Sequence, residues 1–352
     1  MIDKECFFQY NEDEFIQKKL ATHPLYARKG APMSVLYPLK LSYILKSRIW
    51  AGTRLTSDWK KKGLSSDVGE SWELSVRQGD VCRICNGPYE GELLDALLRA
   101  HPSILGYTLR GWEFPLLVKL IDAAEDLSVQ VHPDDAYAAR VEGDHGKTEM
   151  WYILDAAPDA ELVMGLTEGT TQEDFAAAVR CGSFSHLLRR RRVRAGECYF
   201  IPSGLAHAIG AGILIAEIQQ NSDLTYRVYD YDRVDANGKR RELHVKKALD
   251  VIRPFSEAEI EALRFSKTGG HAPSPNCLAA CECFAVYLHK GKEPQLFPAD
   301  GHARHLLCIK GEGSLRVGED VYPISRGDSY LLPAALPGCL LSEGATVLES
   351  LL

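Results

Sequence analysis

The sequence predicts an all-β protein with helical insertions, built from two copies of one β unit of which the first carries a helical insert. Three observations predict it. Short apolar runs ("LSYILKSRIWAG", "SWELSV", "LSVQVH", "EMWYILDA", "ELVMGL", "GECYFIP") succeed one another between Gly and Pro punctuation, which suits a barrel or sandwich better than alternating βα units. One unit is written twice: "AGECYFIPSGLAHAI" (195–209) aligns without gaps to "RGDSYLLPAALPGCL" (326–340), pairing Gly196 with Gly327, Glu197 with Asp328, Tyr199 with Tyr330 and Pro202 with Pro333. Upstream, "GKTEMWYILDA" lies more loosely against "GHARHLLCIKG", starting at Gly146 and Gly301, so the first copy must hold an insertion between its halves.

In chain order, residues 1–35 read as an extension with a helical pattern around "NEDEFIQKKLATH" and a turn-rich "ARKGAPMS". Residues 36–243 hold the first barrel, with the insert near 167–190, where "TTQEDFAAAVRCGSFSHLLRRRR" reads as helix. Residues 244–268 form a connecting helical segment broken at Pro254, and 269–352 form the second barrel.

Composition narrows the function. The 352 residues are 45% hydrophobic and 25% charged, ordinary for a globular chain, and the net charge of -7 argues against nucleic acid or an anionic membrane as main partner. No apolar run approaches the roughly 20 residues of a membrane span. The opening "MIDKECFFQYNEDEF" is too acidic and broken for a signal peptide, so a cytoplasmic location is expected. The ten cysteines are then expected to be reduced. "CRIC" and "CLAACEC" match no common zinc knuckle and read as buried structural thiols.

The chemistry gathers at "LSVQVHPDD", Leu127 to Asp135. On a strand Gln130 and His132 share one face and Val129 and Val131 the other. Alone, the polar pair is equally readable as hydrogen-bonded residues of a barrel wall or as two metal ligands. Glu149 opens the next strand-like run and His207 follows a Pro-Ser-Gly turn. Two neutral imidazoles, a carboxylate and an amide oxygen suit a d¹⁰ ion such as zinc, with water completing an open site. In the second copy Gly338 stands for His207 and Arg304 for Glu149, so that barrel is expected to be metal-free and structural.

These residues carry a family resemblance. "GESWELS", "FPLLVKLIDAAEDLSVQVHPDD", "GKTEMWYIL", "FIPSGLAHAI" and "EIQQNSDLTYRVYDYDR" together resemble the short bacterial form of the type I mannose-6-phosphate isomerases, which are zinc-dependent cupin proteins. The resemblance runs from about Leu36 to Leu243 and more weakly beyond. It implies two cupin β-barrels of jelly-roll type, the first with the helical insert, and one zinc per chain held by Gln130, His132, Glu149 and His207, with the family's arginine at Arg227. It also implies interconversion of mannose 6-phosphate and fructose 6-phosphate through a cis-enediolate. Such a reaction needs a cation near developing oxyanions, a positioned base and a phosphate anchor. Arg227 supplies a fork of donors, Lys119 and Lys147 point charges that match pocket lysines of the family, and Asp223 a candidate for proton transfer or substrate orientation. Ser128 resembles a phosphate contact, although strand alternation is expected to aim it away from Gln130. The expected partner is a small sugar phosphate, with the chain a monomer or homodimer.

Other motifs carry less. "HGKTE" ends like a P-loop, but Val141 occupies the place of its first glycine and a strand follows. "RRRRVR" (Arg189–Arg194) reads as a solvated loop, with steering of an anionic substrate as a lesser role. Asp232 and Arg233 read as a structural ion pair, His145 and His186 as surface residues, and Trp72 with Glu73 as a packing or pocket-wall element. Trp50-Ala51-Gly52 departs from the family's Trp-Gly-Gly. The rival readings are a cupin oxygenase, against which the Gln and Glu ligands count, an isomerase of another sugar, and a metal- and sugar-binding regulator without turnover. Arg227, Lys147 and Asp223 together exceed what a binding module needs.

Overall fold

The computed structural model describes residues 36–63, 67–106, 114–235, 237–265 and 275–352. The extension read at 1–35 and the connecting segment beyond 265 lie outside the described residues. The chain divides into two compact units. One comprises Leu45–Trp72 and Leu117–Gly269, and the other the described residues up to Ile44 with Glu73–Leu116 and Gly270–Leu352.

The first of these units is built on two sheets. The smaller has the order Leu188–Arg192, Glu161–Leu166, His207–Ile209, Val129–Val131, Tyr226–Tyr229, and every pair in it is antiparallel. The larger runs Arg264–Phe265, Cys198–Ile201, Glu149–Ala156, Ile213–Gln220, Leu116–Ala123, Val68–Leu74, Ile44–Ser47. One core cluster centres on Trp151, Tyr199, Ile201 and Ile215. A second joins Val129 and Val131 to Phe175, Phe184, Val228 and Ala248. Phe175 lies on the helix Gln172–Arg180 and Ala248 on the helix Val245–Val251. The insertion therefore covers the apolar face of the strand that carries Gln130, leaving that side chain to face the other way.

The insertion is shorter as a helix than its sequence suggests. A capping box between Thr171 and Asp174 starts it, and the chain leaves it at Cys181 and Gly182, the latter at φ +68°. Leu188–Arg192, read as helix and its arginines as a loop, is instead a strand paired with Glu161–Leu166. Arg189 and Arg191 make ion pairs to Glu257, and Arg191 also to Glu261, so the run is tied to the helix Glu257–Ala262. The break at Pro254 is present: a helix ends at Val251 and the next begins at Glu257 with a Ser256–Glu259 capping box. The strand Ile213–Gln220 and the helices Leu94–Ala100 and Asp135–Val141 were not anticipated from the sequence.

The other unit holds a six-stranded sheet (Leu39–Leu41, Ser329–Leu332, Arg304–Lys310, Thr346–Leu351, Ala285–His289, Cys277–Ala280) and a four-stranded one (Gln295–Phe297, Cys339–Leu341, Glu312–Val317, Asp320–Ser325). The repeat is visible in the pairing registers. Glu149 lies opposite Ile201 and Trp151 opposite Tyr199, while Arg304 lies opposite Leu332 and Leu306 opposite Tyr330. Gly196 and Gly327 take the same left-handed turn, at φ +86° and +91°. On the following strand Glu217 pairs with Trp151 and Glu349 with Leu306, so these two glutamates are equivalent. In the second copy the buried Arg304 Nε lies 2.8 Å from Glu349 Oε1, His289 Nε2 lies 2.7 Å from Glu349 Oε2, and the Arg304 fork also binds Asp300.

All nine described cysteines are free thiols. Cys82 and Cys277 are buried as expected, but Cys85 is exposed and Cys281 and Cys283 are half-buried, because they lie just outside the strands that bury their neighbours. Among the described residues no helix is long and apolar enough to cross a membrane.

Candidate metal centre

Local sequence chemistry explains how the ligand candidates meet. Pro133 ends the strand after His132, and Asp134 caps the helix Asp135–Val141 by accepting the Tyr137 N–H. The Asp135 carboxylate then accepts the Gly146 N–H at 2.8 Å, and the Lys147 N–H donates to Pro133 O at 3.0 Å. Gly146 packs so closely on this turn that a Cβ would sit 2.5 Å from the Asp135 nitrogen. "HPDD" and "HGKTE" thus dock together, which delivers Glu149 beside His132. On the other side Gly204, at φ +81°, donates its N–H to His132 O at 2.9 Å, and a Cβ there would lie 2.7 Å from Arg253 Nε. That turn launches His207 opposite Gln130 in the ladder.

The resulting cluster is buried. One ligand atom from each of His132, Glu149 and His207 lies within 4.8 Å of the others, and this is the one such group among the described residues. The Nδ1–H of His132 donates to Leu224 O at 2.7 Å and that of His207 to Leu205 O at 2.9 Å. Each neutral ring therefore turns an unprotonated Nε2 toward the centre. Burial drives both imidazoles toward the neutral form, His207 down to about 3. The Nε2 of His132 lies 3.3 Å from Glu149 Oε1 and has no hydrogen-bond partner. Two acceptors facing each other in a dry site call for a cation between them, and the donor set suits a divalent metal ion. The Gln130 amide is 3.4 Å from His207 Nε2, and turning it about its axis presents the oxygen to the same point.

Around the cluster lie the other predicted residues. Lys147 Nζ is 2.8 Å from Glu149 Oε1. Burial opposes its charge, yet Glu149, Glu217 and Asp223 hold the ammonium above its ordinary value. Glu149 is pressed the other way: burial raises its carboxyl, but Lys147 and His132 bring it well below the usual range. Arg227 pairs with Gln130 across the ladder, and its half-buried guanidinium feels Arg241 and Asp223. Asp223 is exposed and interacts electrostatically with both Lys147 and Arg227. Lys119 Nζ lies 3.1 Å from Glu217 Oε1. Ser128 corrects the expectation from alternation: positions 128 and 130 share a face, and its hydroxyl donates to Gln130 Oε1 at 3.2 Å.

Two further expectations change. Arg233 pairs with Asp230 at 2.7 Å while Asp232 pairs with Arg240 at 2.8 Å, so both make structural ion pairs but not with each other. Glu217 escaped the sequence reading altogether. It is 4% exposed and accepts the Trp151 indole N–H at 3.0 Å, a proton that Glu149 Oε2 shares at 3.1 Å. The signal available was a carboxylate inside the apolar run "ILIAEIQQ".

The model of the type I phosphomannose isomerase catalytic domain matches residues 39–177, and that of the mannose-6-phosphate isomerase cupin domain matches residues 276–345. A mannose-6-phosphate isomerase of Bacillus subtilis is 41% identical over 304 residues, covering 85% of this chain and 94% of that protein. The chain belongs to the type I phosphomannose isomerases. A mannose-6-phosphate isomerase of Streptococcus mutans is 38% identical over 84% of this chain and 92% of its own length. The crystal structure of the mannose 6-phosphate isomerase from Bacillus subtilis superposes with a TM-score of 0.81 at 34% identity, covering 89% of this chain and 99% of that one. As a member of this family the chain is an enzyme, an isomerase on a cupin-type fold. His207 and Arg227 lie beyond the matched catalytic segment and rest on their geometry here.

Proposed function

We propose that the enzyme interconverts mannose 6-phosphate and fructose 6-phosphate through a cis-enediolate, with zinc held by Gln130, His132, Glu149 and His207. The observation that carries the metal is the buried His132 Nε2, an unprotonated nitrogen facing a carboxylate with no donor of its own. The relatives named for this activity support the substrate. Zinc supplies Lewis acidity toward the sugar oxygens when bound.

The chain's own residues do the rest. Isomerisation moves a proton between C1 and C2 while negative charge develops on O1 and O2. The Lys147 ammonium, held by Glu149, and the half-buried Arg227 fork stabilise that charge, both partly shielded from water. Asp223, exposed at the rim and flanked electrostatically by both cations, orients or carries the moving proton. Lys119 and the Ser128 hydroxyl bind the anionic substrate. We assign the reaction to the cytoplasm.

A coupled assay on mannose 6-phosphate, before chelation, after it and with zinc restored, tests the reading. Turnover that chelation abolishes and zinc recovers is expected. A protein that holds one zinc per chain and shows no turnover refutes it. Arg227→Ala is expected to remove turnover while leaving metal content intact.

A further inference from the structure

The strand Val68–Leu74 carries a buried acid to which the reaction gives no role. Glu70 is 8% exposed, and the Arg48 fork binds it through Nε to Oε1 at 2.7 Å and Nη2 to Oε2 at 3.1 Å. Oε2 also accepts the Trp72 indole N–H at 2.8 Å, from a ring that is 3% exposed. Glu70 and Trp72 are two residues apart on one strand and share a face. The neighbouring strand Leu116–Ala123 brings Lys119 to the same place, with its Nζ 5.3 Å from the Trp72 ring centroid. Lys46 Nζ lies 4.7 Å from that centroid.

Lysine is a point charge on a flexible stem, so the site it serves must fix its head from outside. Glu217 fixes the Lys119 ammonium from one direction at 3.1 Å. The Trp72 ring supplies another through its negative face. The hydrogen bond to Glu70 helps to set the rotation of that buried ring. As a carboxylate Glu70 has only acceptors, Oε1 for Arg48 Nε and Oε2 for Arg48 Nη2 and the indole; an amide or a protonated acid would turn a donor toward one of these donors. Burial pushes its carboxyl up, but Arg48 and Lys119 bring it down to about 2.

We infer that Glu70 is a positioning residue for the Lys119 ammonium, acting through the Trp72 indole, and so sets where the oxyanions of a sugar phosphate are met. The inference deepens the proposed function and rests on Lys119 as a substrate contact. Arg48 belongs to the same device, because its fork leaves Glu70 one orientation.

The test uses the full-length metal-loaded enzyme with Glu70→Gln, Trp72→Phe, Lys119→Met and the pairwise combinations. Calorimetric binding of inorganic phosphate and of fructose 6-phosphate is read beside KM and kcat. Loss of one well-placed charge contact corresponds to about tenfold in Kd. Each single variant is therefore expected to raise the fructose 6-phosphate Kd and the KM by about that factor, with zinc content unchanged. Glu70→Gln is expected to add nothing in the Trp72→Phe or Lys119→Met background, because the three act in series. Independent, multiplying effects overturn the inference, as does a lower melting temperature with Kd and KM unmoved. Absence of turnover by the wild type refutes the isomerase reading instead, and the binding cycles still decide the role of Glu70. Inorganic phosphate that follows the same pattern places the contact at the phosphate end; a pattern seen with the sugar phosphate alone places it at the sugar oxygens.

Discussion

Replacing Arg304 by Met tests whether the charge cluster of the second copy holds that barrel together. Arg304 and Glu349 have side chains 8% and 9% exposed and 2.8 Å apart. Removing the guanidinium leaves the Glu349 carboxylate with His289 as its remaining partner described here and takes one bond from Asp300. Breaking one partner of a buried pair costs about 3–5 kcal/mol. Asp300 is 37% exposed and adds little, so the low end, about 3 kcal/mol, is expected. Expressed as amide exchange, that is a loss of protection of about two orders of magnitude. Hydrogen exchange followed by mass spectrometry on peptides spanning Arg304–Lys310 and Thr346–Leu351 reads it directly. A second variant, Arg304→Met with Glu349→Gln, removes the stranded charge and is expected to recover at least half of the loss. Protection that falls by less than about threefold in the single variant, or fails to recover in the double, refutes the reasoning.

Three other outcomes are expected. Gly204→Ala forces a side chain into a left-handed turn and against Arg253, costing about 1–2 kcal/mol or more and lowering retained metal because His207 moves with the turn; melting and metal analysis after dialysis check both. Phe175→Ala opens the buried seam between the insertion and the Val129–Val131 strand and is expected to cost about 3–5 kcal/mol in urea unfolding. With acid, the folded Glu70 carboxyl, near 2, stays ionised where the unfolded one, near 4.5, takes up a proton. Its contribution, of order 3 kcal/mol, is complete above pH 4.5 and drains away as pH falls toward 2, and Glu70→Gln is expected to flatten that limb of the stability curve.

The sequence was most informative where backbone geometry alone decides direction. A strand period of two was enough to aim Gln130 and His132 together, and the duplicated unit identified Glu149 and His207 by what Arg304 and Gly338 had replaced. At Ser128 the same rule holds, since an even spacing of two puts it on the face of Gln130. Glu217 and Glu70 stayed hidden for another reason. Their partners, Lys119, Trp151 and Arg48, come from strands whose adjacency is set by sheet order, and sheet order is not local information. Likewise the arginines of Leu188–Arg192 looked like a solvated run because the acids that bind them, Glu257 and Glu261, lie on a helix far along the chain.

The carbonyls of Leu224 and Leu205 have a consequence for which substitutions can reach the cluster. They grip the far nitrogen of each imidazole, so the rings are oriented by main chain that folding itself fixes. A substitution that reroutes either loop therefore turns a ring without altering any ligand candidate, so the site is sensitive at residues that never touch it.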